Sequence, residues 1–349
     1  MRAIVVREAG GVEHMHVEDV PVPPMRRNEV LIKVEACGVC FHDVVTRNGT
    51  MKRGVEIPFI PGHEVSGTVV DVGPAVQDFK PGDKVCTAQR RHICGRCGCC
   101  RTGQETSCDE REFLGDAGLN GGYSEFVCVG EDNVTIIPEG IAFDEAAIVS
   151  CAIGTELNAI RDVAQLRPGE RVLVSGAGGG LGIHGVQLAR LSGAIVYAVT
   201  TSPEKAALIA EAGAHHVILI ERGEDFSKEL MRLTNGEGVT VVIDNVGSVL
   251  FEPTRRSLGM GARWIFVGQL TGDFVKLNPA QLFFKNVQIK SAKSTSREQL
   301  RDALKLVAAG LVKPFIQERW PLERAAEAHA LVESGRTTGR ILLKPSLPH

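Results

Sequence analysis

The sequence predicts an α/β protein of two domains, a mostly antiparallel β domain followed by a doubly wound parallel sheet. Three observations carry that expectation. The chain has 349 residues and is 44% hydrophobic, more than the roughly 100 to 200 residues that one core usually organises. Up to about Ser150 it is built of short β-branched runs separated by turn residues: A-I-V-V, E-V-L-I-K-V, G-T-V-V-D-V, D-K-V-C and S-E-F-V-C-V. From Arg171 onward strands alternate with helical stretches, the pattern of βαβ units.

Taken in order, that second half reads as a strand R-V-L-V-S, a glycine turn and a helix L-G-I-H-G-V-Q-L-A-R-L. A strand A-I-V-Y-A-V, a helix P-E-K-A-A-L-I-A-E-A-G and a strand H-V-I-L-I follow. Two further strands lie in V-T-V-V-I-D-N-V-G and A-R-W-I-F-V-G-Q, and after about Lys290 come two helical patterns and a closing strand, R-I-L-L-K. Neither an internal repeat nor a low-complexity segment interrupts this order.

Composition excludes several function classes. A net charge of -3, a pI near 6.4 and dispersed basic residues leave no footprint for nucleic acid or an anionic membrane. The N-terminus M-R-A-I-V-V-R-E-A-G-G lacks a sustained apolar core, and nowhere do about 18 apolar residues run together. A cytoplasmic protein is expected, and in a reducing compartment cysteines, of which the chain has ten, more often bind metal or act chemically than form disulfides.

Four of those cysteines, Cys94, Cys97, Cys100 and Cys108, have the spacing C-x2-C-x2-C-x7-C, which suits a closed tetrahedral thiolate site for structural zinc. Cys99 adjoins Cys100 and competes with it as the third ligand; spacing favours Cys100. A saturated ion leaves no place for substrate, so its work is to order a lobe poor in apolar residues. A sparser set is Cys40 in G-V-C-F-H-D, His63 beside Glu64 in I-P-G-H-E-V-S-G, and Cys151 in A-A-I-V-S-C-A-I-G-T. Two thiolates and one imidazole leave a fourth position open, the arrangement of a catalytic zinc. Cys37, Cys86, Cys99 and Cys128 fall outside both sets and are expected to be packing thiols.

With G-H-E-x-x-G and the glycine and valine that follow (Gly62, His63, Glu64, Gly67, Gly73, Val76), the four-cysteine lobe, G-G-Y-S-E-F at Gly121 to Phe126 and the glycine turn near Gly179, the chain resembles the zinc-containing medium-chain alcohol dehydrogenases over essentially its whole length. The resemblance implies a GroES-like catalytic domain over residues 1–151 with its zinc lobe at about 86–112. It also implies a Rossmann domain over 152–290 and a return to the catalytic domain over 291–349. It further implies two zinc ions per subunit, the catalytic one held by Cys40, His63 and Cys151 with Glu64 as a close acidic neighbour, and Asp43 orienting the imidazole of His63. The implied activity is hydride transfer between a nicotinamide cofactor and an alcohol or carbonyl substrate. A homodimer or homotetramer joined through the edge strand near N-V-Q-I-K-S-A is implied as well.

The turn G-A-G-G-G-L-G opens a helix and would present amides to a pyrophosphate. The strict G-x-G-x-x-G register falls at Gly180, Gly182 and Gly185 but starts late after the strand, so Ala177, Gly179 and Gly182 are preferred. Gly176, Gly180 and Leu181 complete the expected cofactor turn. The second strand ends in Thr200, Thr201 and Ser202 with no carboxylate to hold ribose hydroxyls, and Lys205 follows; this favours NADP(H) over NAD(H). By resemblance Thr155 packs on the nicotinamide, Val246 and Gly247 contact cofactor at a strand end, and Arg340 either reaches the pyrophosphate or is a surface cation.

One departure stands out. Two residues beyond Cys40 the family usually carries Ser or Thr, whereas this chain has His42. That histidine either relays a proton, as its ordinary pKa allows, or fills a surface or core position. The glycine turn with T-T-S-P-E-K is also similar to NADPH-dependent quinone and acryloyl-CoA reductases of the same superfamily, making reduction of an activated C=C bond the alternative activity.

Overall fold

The computed structural model describes residues 1–347. The chain forms two compact units, one from Met1–Gly154, Ser294–Gly310 and the residues from Ile316 onward, the other from Thr155–Lys293 and Leu311–Phe315.

The first unit is built on a seven-stranded sheet ordered Val134–Ile136, Lys84–Thr87, Glu64–Val72, Glu29–Gly38, Arg340–Lys344 and Ile316–Pro321, with Phe126–Gly130 also pairing along Glu29–Gly38. All its ladders are antiparallel except the last, where Ile316–Pro321 runs parallel to Arg340–Lys344. The central strand shows why it forms: Val30, Ile32, Val34 and Ala36 alternate onto one buried face. Val30, Ile32 and Val34 join a core that includes Ile4, Phe59, Val65, Tyr123 and Leu343. A four-stranded sheet, Met15–Asp19, Arg2–Val6, Glu56–Phe59 and Ala117–Gly118, lies in the same unit.

The register of the central strands decides where chemistry gathers. Gly38 pairs with both Glu64 and Leu342. Cys40 just beyond one strand end, His63 just before the next, and Arg340 at the start of a third are thereby brought to one edge. The helix Phe143–Ile148 packs across the strands Glu29–Gly38 and Glu64–Val72. There Ala36, Ala147, Ile148, Ala152 and Leu342 form a small apolar cluster. Its continuation, Val149–Ile153, is wound as a wide π-helical turn carrying Cys151, a local widening often found at functional positions.

The second unit is a six-stranded, fully parallel sheet ordered His216–Leu219, Ile195–Thr200, Arg171–Val174, Val239–Asp244, Leu258–Phe266 and Gln288–Ser291. Numbered along the chain this is 3-2-1-4-5-6, the doubly wound order whose ligand crevice lies where strand order reverses, between Arg171–Val174 and Val239–Asp244. The expected α/β fold class is therefore present in both halves. Ile316–Pro321 was not anticipated as a strand: of I-Q-E-R-W-P only Trp320 is buried, so the sequence lacks a clear apolar alternation. Among the described residues no helix is long and apolar enough to cross a membrane.

Candidate functional site

Two groups of side chains have the geometry of metal sites. In the first, Sγ of Cys94, Cys97, Cys100 and Cys108 all lie within 4.8 Å of one another. Cys94 is 3.9 Å from Cys100 and 3.6 Å from Cys108, against about 3.8 Å between sulfurs of a tetrahedron with 2.3 Å zinc–sulfur bonds. Backbone amides of Cys97, Cys100 and Cys94 donate to the sulfurs of Cys94, Cys97 and Cys108. Amide donors also hold the Cys94 thiol down at about 7. The geometry takes Cys100 rather than Cys99 into the group, as spacing favoured.

In the second group, Cys40, His63, Glu64 and Cys151 each offer one atom within 4.8 Å of the others, and all four are buried. The two sulfurs are 3.8 Å apart, again the edge of a tetrahedron. Cys40 is held toward the thiolate by its hydrogen bond with Cys151, against burial, with Arg340 and His63 assisting. Cys151 is correspondingly raised, by its hydrogen bond to Cys40 and by burial. The donor set of two thiols, an imidazole and a carboxylate fits zinc.

Each partner is locally positioned. Asp43, in the helix Phe41–Arg47, accepts from the Cys40 amide at 3.1 Å, so it caps the helix that starts beside the ligand. Its other oxygen lies 3.1 Å from His63 Nδ1 and accepts from the Gly62 amide at 3.2 Å. Thus Nε2 of His63 is left to face the sulfurs and Glu64, 3.9 Å from Oε1. Burial opposes ionisation of Asp43, but the His63 charge and hydrogen bond hold its carboxyl well below the usual range. His63 is likewise depressed by burial and raised further by Asp43 and Cys40, with a net upward shift. Gly62 adopts φ +100°, and a Cβ there would sit 2.5 Å from the Tyr123 ring. A Cβ at Gly38 would come within 2.3 Å of the Glu64 carboxylate, so glycine makes the room that carboxylate occupies.

Of the two sequence readings of Arg340, pyrophosphate contact or surface cation, the second is overturned: the side chain is buried against this group. Its Nη2 lies 2.9 Å from Glu64 Oε1 and 3.5 Å from both sulfurs. A guanidinium at 6% exposure requires such anionic partners. Glu64 is pushed up to about 7 by burial, with Cys40 adding and Arg340 opposing. His42 is neither free nor remote: Nε2 is 2.8 Å from Asp116 Oδ1, and its ring meets those of His63 and Phe113 at 5.1 and 4.8 Å. Asp116 gave no sequence signal, because only folding brings it beside position 42.

In the second unit the expected cofactor positions surround the strand-order reversal. Ser175 to Leu181 form the turn between the strand Arg171–Val174 and the helix Gly182–Leu191. A Cβ at Gly182 would sit 2.3 Å from the Gly176 carbonyl, the close helix-to-turn approach for which the third glycine of such turns is needed. Opposite, Asp244 accepts from Ser175 Oγ and from the amides of Val246 and Gly247, and from Trp264 Nε1. The Lys205 stem packs on the turn, 2.6 Å from where a Gly178 Cβ would be. Thr200 is buried and Thr201 exposed, while Ser202 spends its hydroxyl on Glu204. A carboxylate therefore lies nearer the strand end than the run of hydroxyls suggested. Thr155 is buried with no partner for its hydroxyl, and beside it in sequence Glu156 is fully buried with neither carboxylate oxygen hydrogen-bonded. Gly185 leaves space for that carboxylate: a Cβ would meet Oε2 at 2.7 Å.

Matches to known proteins agree with this geometry. The family models "Alcohol dehydrogenase GroES-like domain" and "Zinc-binding dehydrogenase" match residues 26–139 and 180–309. The acryloyl-coenzyme A reductase of Sulfurisphaera tokodaii is 34% identical over 99% of this chain and 100% of its own. Among solved structures, AibC superposes with a TM-score of 0.91 at 40% identity, covering 99% of this chain and 96% of that one. An NAD-dependent alcohol dehydrogenase gives 0.92 at 34% identity, covering 99% of both.

Glu156 yields a test of the second unit. Burial pushes its pKa from 4.5 to about 7, the Asn245 side chain opposing. The folded form then keeps a proton that the unfolded chain loses, so stability falls as pH rises from about 4.5 to about 7. Glu156→Gln is expected to remove that slope, gaining on the order of 3 kcal/mol relative to the unmodified protein across the window. Urea unfolding at pH 4.5 and 7.5 measures it.

Proposed function

Because the chain belongs to the zinc-containing medium-chain dehydrogenase/reductase family, a family of oxidoreductases, we propose that it transfers a hydride between NADP(H) and an alcohol or carbonyl substrate. Cys40, His63 and Cys151 would hold the catalytic zinc, with Glu64 adjacent, and Cys94, Cys97, Cys100 and Cys108 the structural one. The observation that carries this reading is the buried convergence of two thiols, an imidazole and a carboxylate on one edge of the sheet. Zinc held there supplies Lewis-acid polarisation of a substrate oxygen. The chain's own residues do the rest. Asp43 fixes the imidazole with Nε2 inward, and burial of the ligand set excludes water. Arg340 offsets the negative charge that two thiolates and Glu64 would accumulate.

For the cofactor, the pyrophosphate is assigned to the turn Gly176, Gly179, Gly180, Leu181 and Gly182, which leads into the N-terminus of the helix Gly182–Leu191. Thr155, Val246 and Gly247 are assigned to the nicotinamide side. Thr200, Thr201, Ser202 and Lys205 are assigned to a 2′-phosphate, with Lys205 supplying the charge. Lys205→Ala is expected to raise the KM for NADPH by roughly tenfold, the worth of a charge-assisted hydrogen bond, with little change for NADH. Equal effects in steady-state kinetics with the two cofactors would defeat the NADP(H) assignment.

A second reading is supported by His42. Where the family places a hydroxyl, this chain holds a ring nitrogen pinned by Asp116, and an acryloyl-CoA reductase is among its relatives. Reduction of an activated C=C bond, in an enone or enoyl thioester, is accordingly the alternative. NADPH consumption on aldehydes against enones and enoyl-CoA thioesters, before and after chelation, separates the two. Turnover on aldehydes that chelation abolishes supports the first; chelator-resistant turnover confined to conjugated alkenes supports the second.

The exposed edge strand Gln288–Ser291 offers unpaired backbone groups to a second copy, so a homo-oligomer joined there is part of the reading. All ten cysteines are unpaired, which suits a cytoplasmic enzyme.

A further inference from the structure

Behind the ligand His63 runs a buried file of hydrogen bonds. We propose that its two far members, Tyr123 and His329, are positioning residues for the metal: they fix Asp43 and, through it, the tautomer of His63. This rests on the zinc reading above and deepens it.

His63 Nδ1 is 3.1 Å from Asp43 Oδ1, the Tyr123 hydroxyl is 3.2 Å from Asp43 Oδ2, and His329 Nε2 is 3.2 Å from that hydroxyl. The His329 ring stands edge-on to Tyr123 at 5.7 Å. Tyr123 and His329 are both fully buried. The members come from distant places in the chain: position 63, the helix Phe41–Arg47, the loop before Phe126–Gly130 and the helix Ala325–Glu333. A C-terminal helix is thus tied to a ligand near residue 60.

Counting hydrogens gives the file one direction. An imidazole that presents Nε2 to a metal carries its proton on Nδ1 and donates it to Asp43. The ionised carboxylate only accepts, so the Tyr123 hydroxyl donates to Oδ2. With its hydrogen spent, the Tyr123 oxygen accepts, and His329 must donate from Nε2. His329 Nδ1 then keeps a lone pair, and it has no partner among the described residues; an unpaired acceptor is better tolerated in a core than an unpaired N–H.

The file locks rather than conducts. Burial, with the Asp43 charge reinforcing it, holds the Tyr123 phenol protonated. Burial first, and then the buried Arg47 guanidinium, push His329 down to about 4 although Asp43 and Cys40 pull the other way. A neutral terminal imidazole beside a fixed cation takes up no further proton near neutrality, so every donor keeps its assigned acceptor.

The test uses the full zinc-loaded chain. Chelator competition is expected to show that Tyr123→Phe and His329→Leu raise the zinc dissociation constant at the Cys40 group about tenfold, as losses of outer-shell partners do. His329→Gln, whose amide can still donate to Tyr123, should stay within about threefold of the unmodified protein. Zinc in the four-cysteine lobe should be retained equally by all, reporting an intact fold. In the unmodified protein, nitrogen-15 NMR of labelled histidine should find His329 neutral and protonated on Nε2 from pH 6 to 8. Unchanged affinity in Tyr123→Phe, or a proton on Nδ1 of His329, overturns the inference. An unmodified protein that binds zinc only at the four-cysteine lobe overturns the zinc reading itself.

Discussion

The buried carboxylate of Asp43 is the constraint on which the rest of the first unit's chemistry depends. It accepts from the Cys40 amide, the Gly62 amide, the Tyr123 hydroxyl and His63 Nδ1. A carboxylate at 2% exposure is tolerated only with such a full set of partners, and in meeting that need it fixes the segments that carry Cys40 and His63 relative to each other. The capping of the helix Phe41–Arg47 and the orientation of the His63 imidazole are therefore one interaction. Removing the carboxylate would free the imidazole and uncap the helix together.

The two thiolate groups are organised in different ways. The four-cysteine lobe is local: its outermost cysteines, Cys94 and Cys108, are fourteen positions apart, and its amides point at its own sulfurs. The Cys40 group is assembled by tertiary structure. Strand register brings position 40, position 63 and position 340 to one edge, and a widened helical turn delivers Cys151. Loss of metal from the lobe should act on local order, whereas the Cys40 group is preformed by the sheet. Charge balance follows the same division, since Arg340 and Glu64 lie at the tertiary site.

Much of this was legible in the sequence where chemistry is written locally. The Cys94 to Cys108 spacing, the βαβ alternation after Arg171 and the glycine turn each announce themselves within a few residues. Cys40, His63, Glu64 and Cys151 were nominated by residue type and family resemblance, and the structure brings them within 4.8 Å. What escaped depends on long-range partners. Asp116 meets His42, and His329 meets Tyr123, across 74 and 206 residues, with no periodicity to join them. The burial of Arg340 escaped because its neighbour Glu64 lies 276 positions away. Glu156 gave no sequence signal and is buried, since only the packing of the helix Gly182–Leu191 against it at Gly185 reveals the site.

Side chains 40, 63 and 151 are proposed to share one metal ion distinct from that of the four-cysteine lobe. Anomalous diffraction at the zinc absorption edge, from crystals grown without chelator, tests it most directly. Two peaks per chain are expected, one enclosed by Cys94, Cys97, Cys100 and Cys108, the other within bonding distance of Cys40 Sγ, His63 Nε2 and Cys151 Sγ. A single peak at the lobe, with the Cys40 group empty in zinc-replete protein, would contradict it.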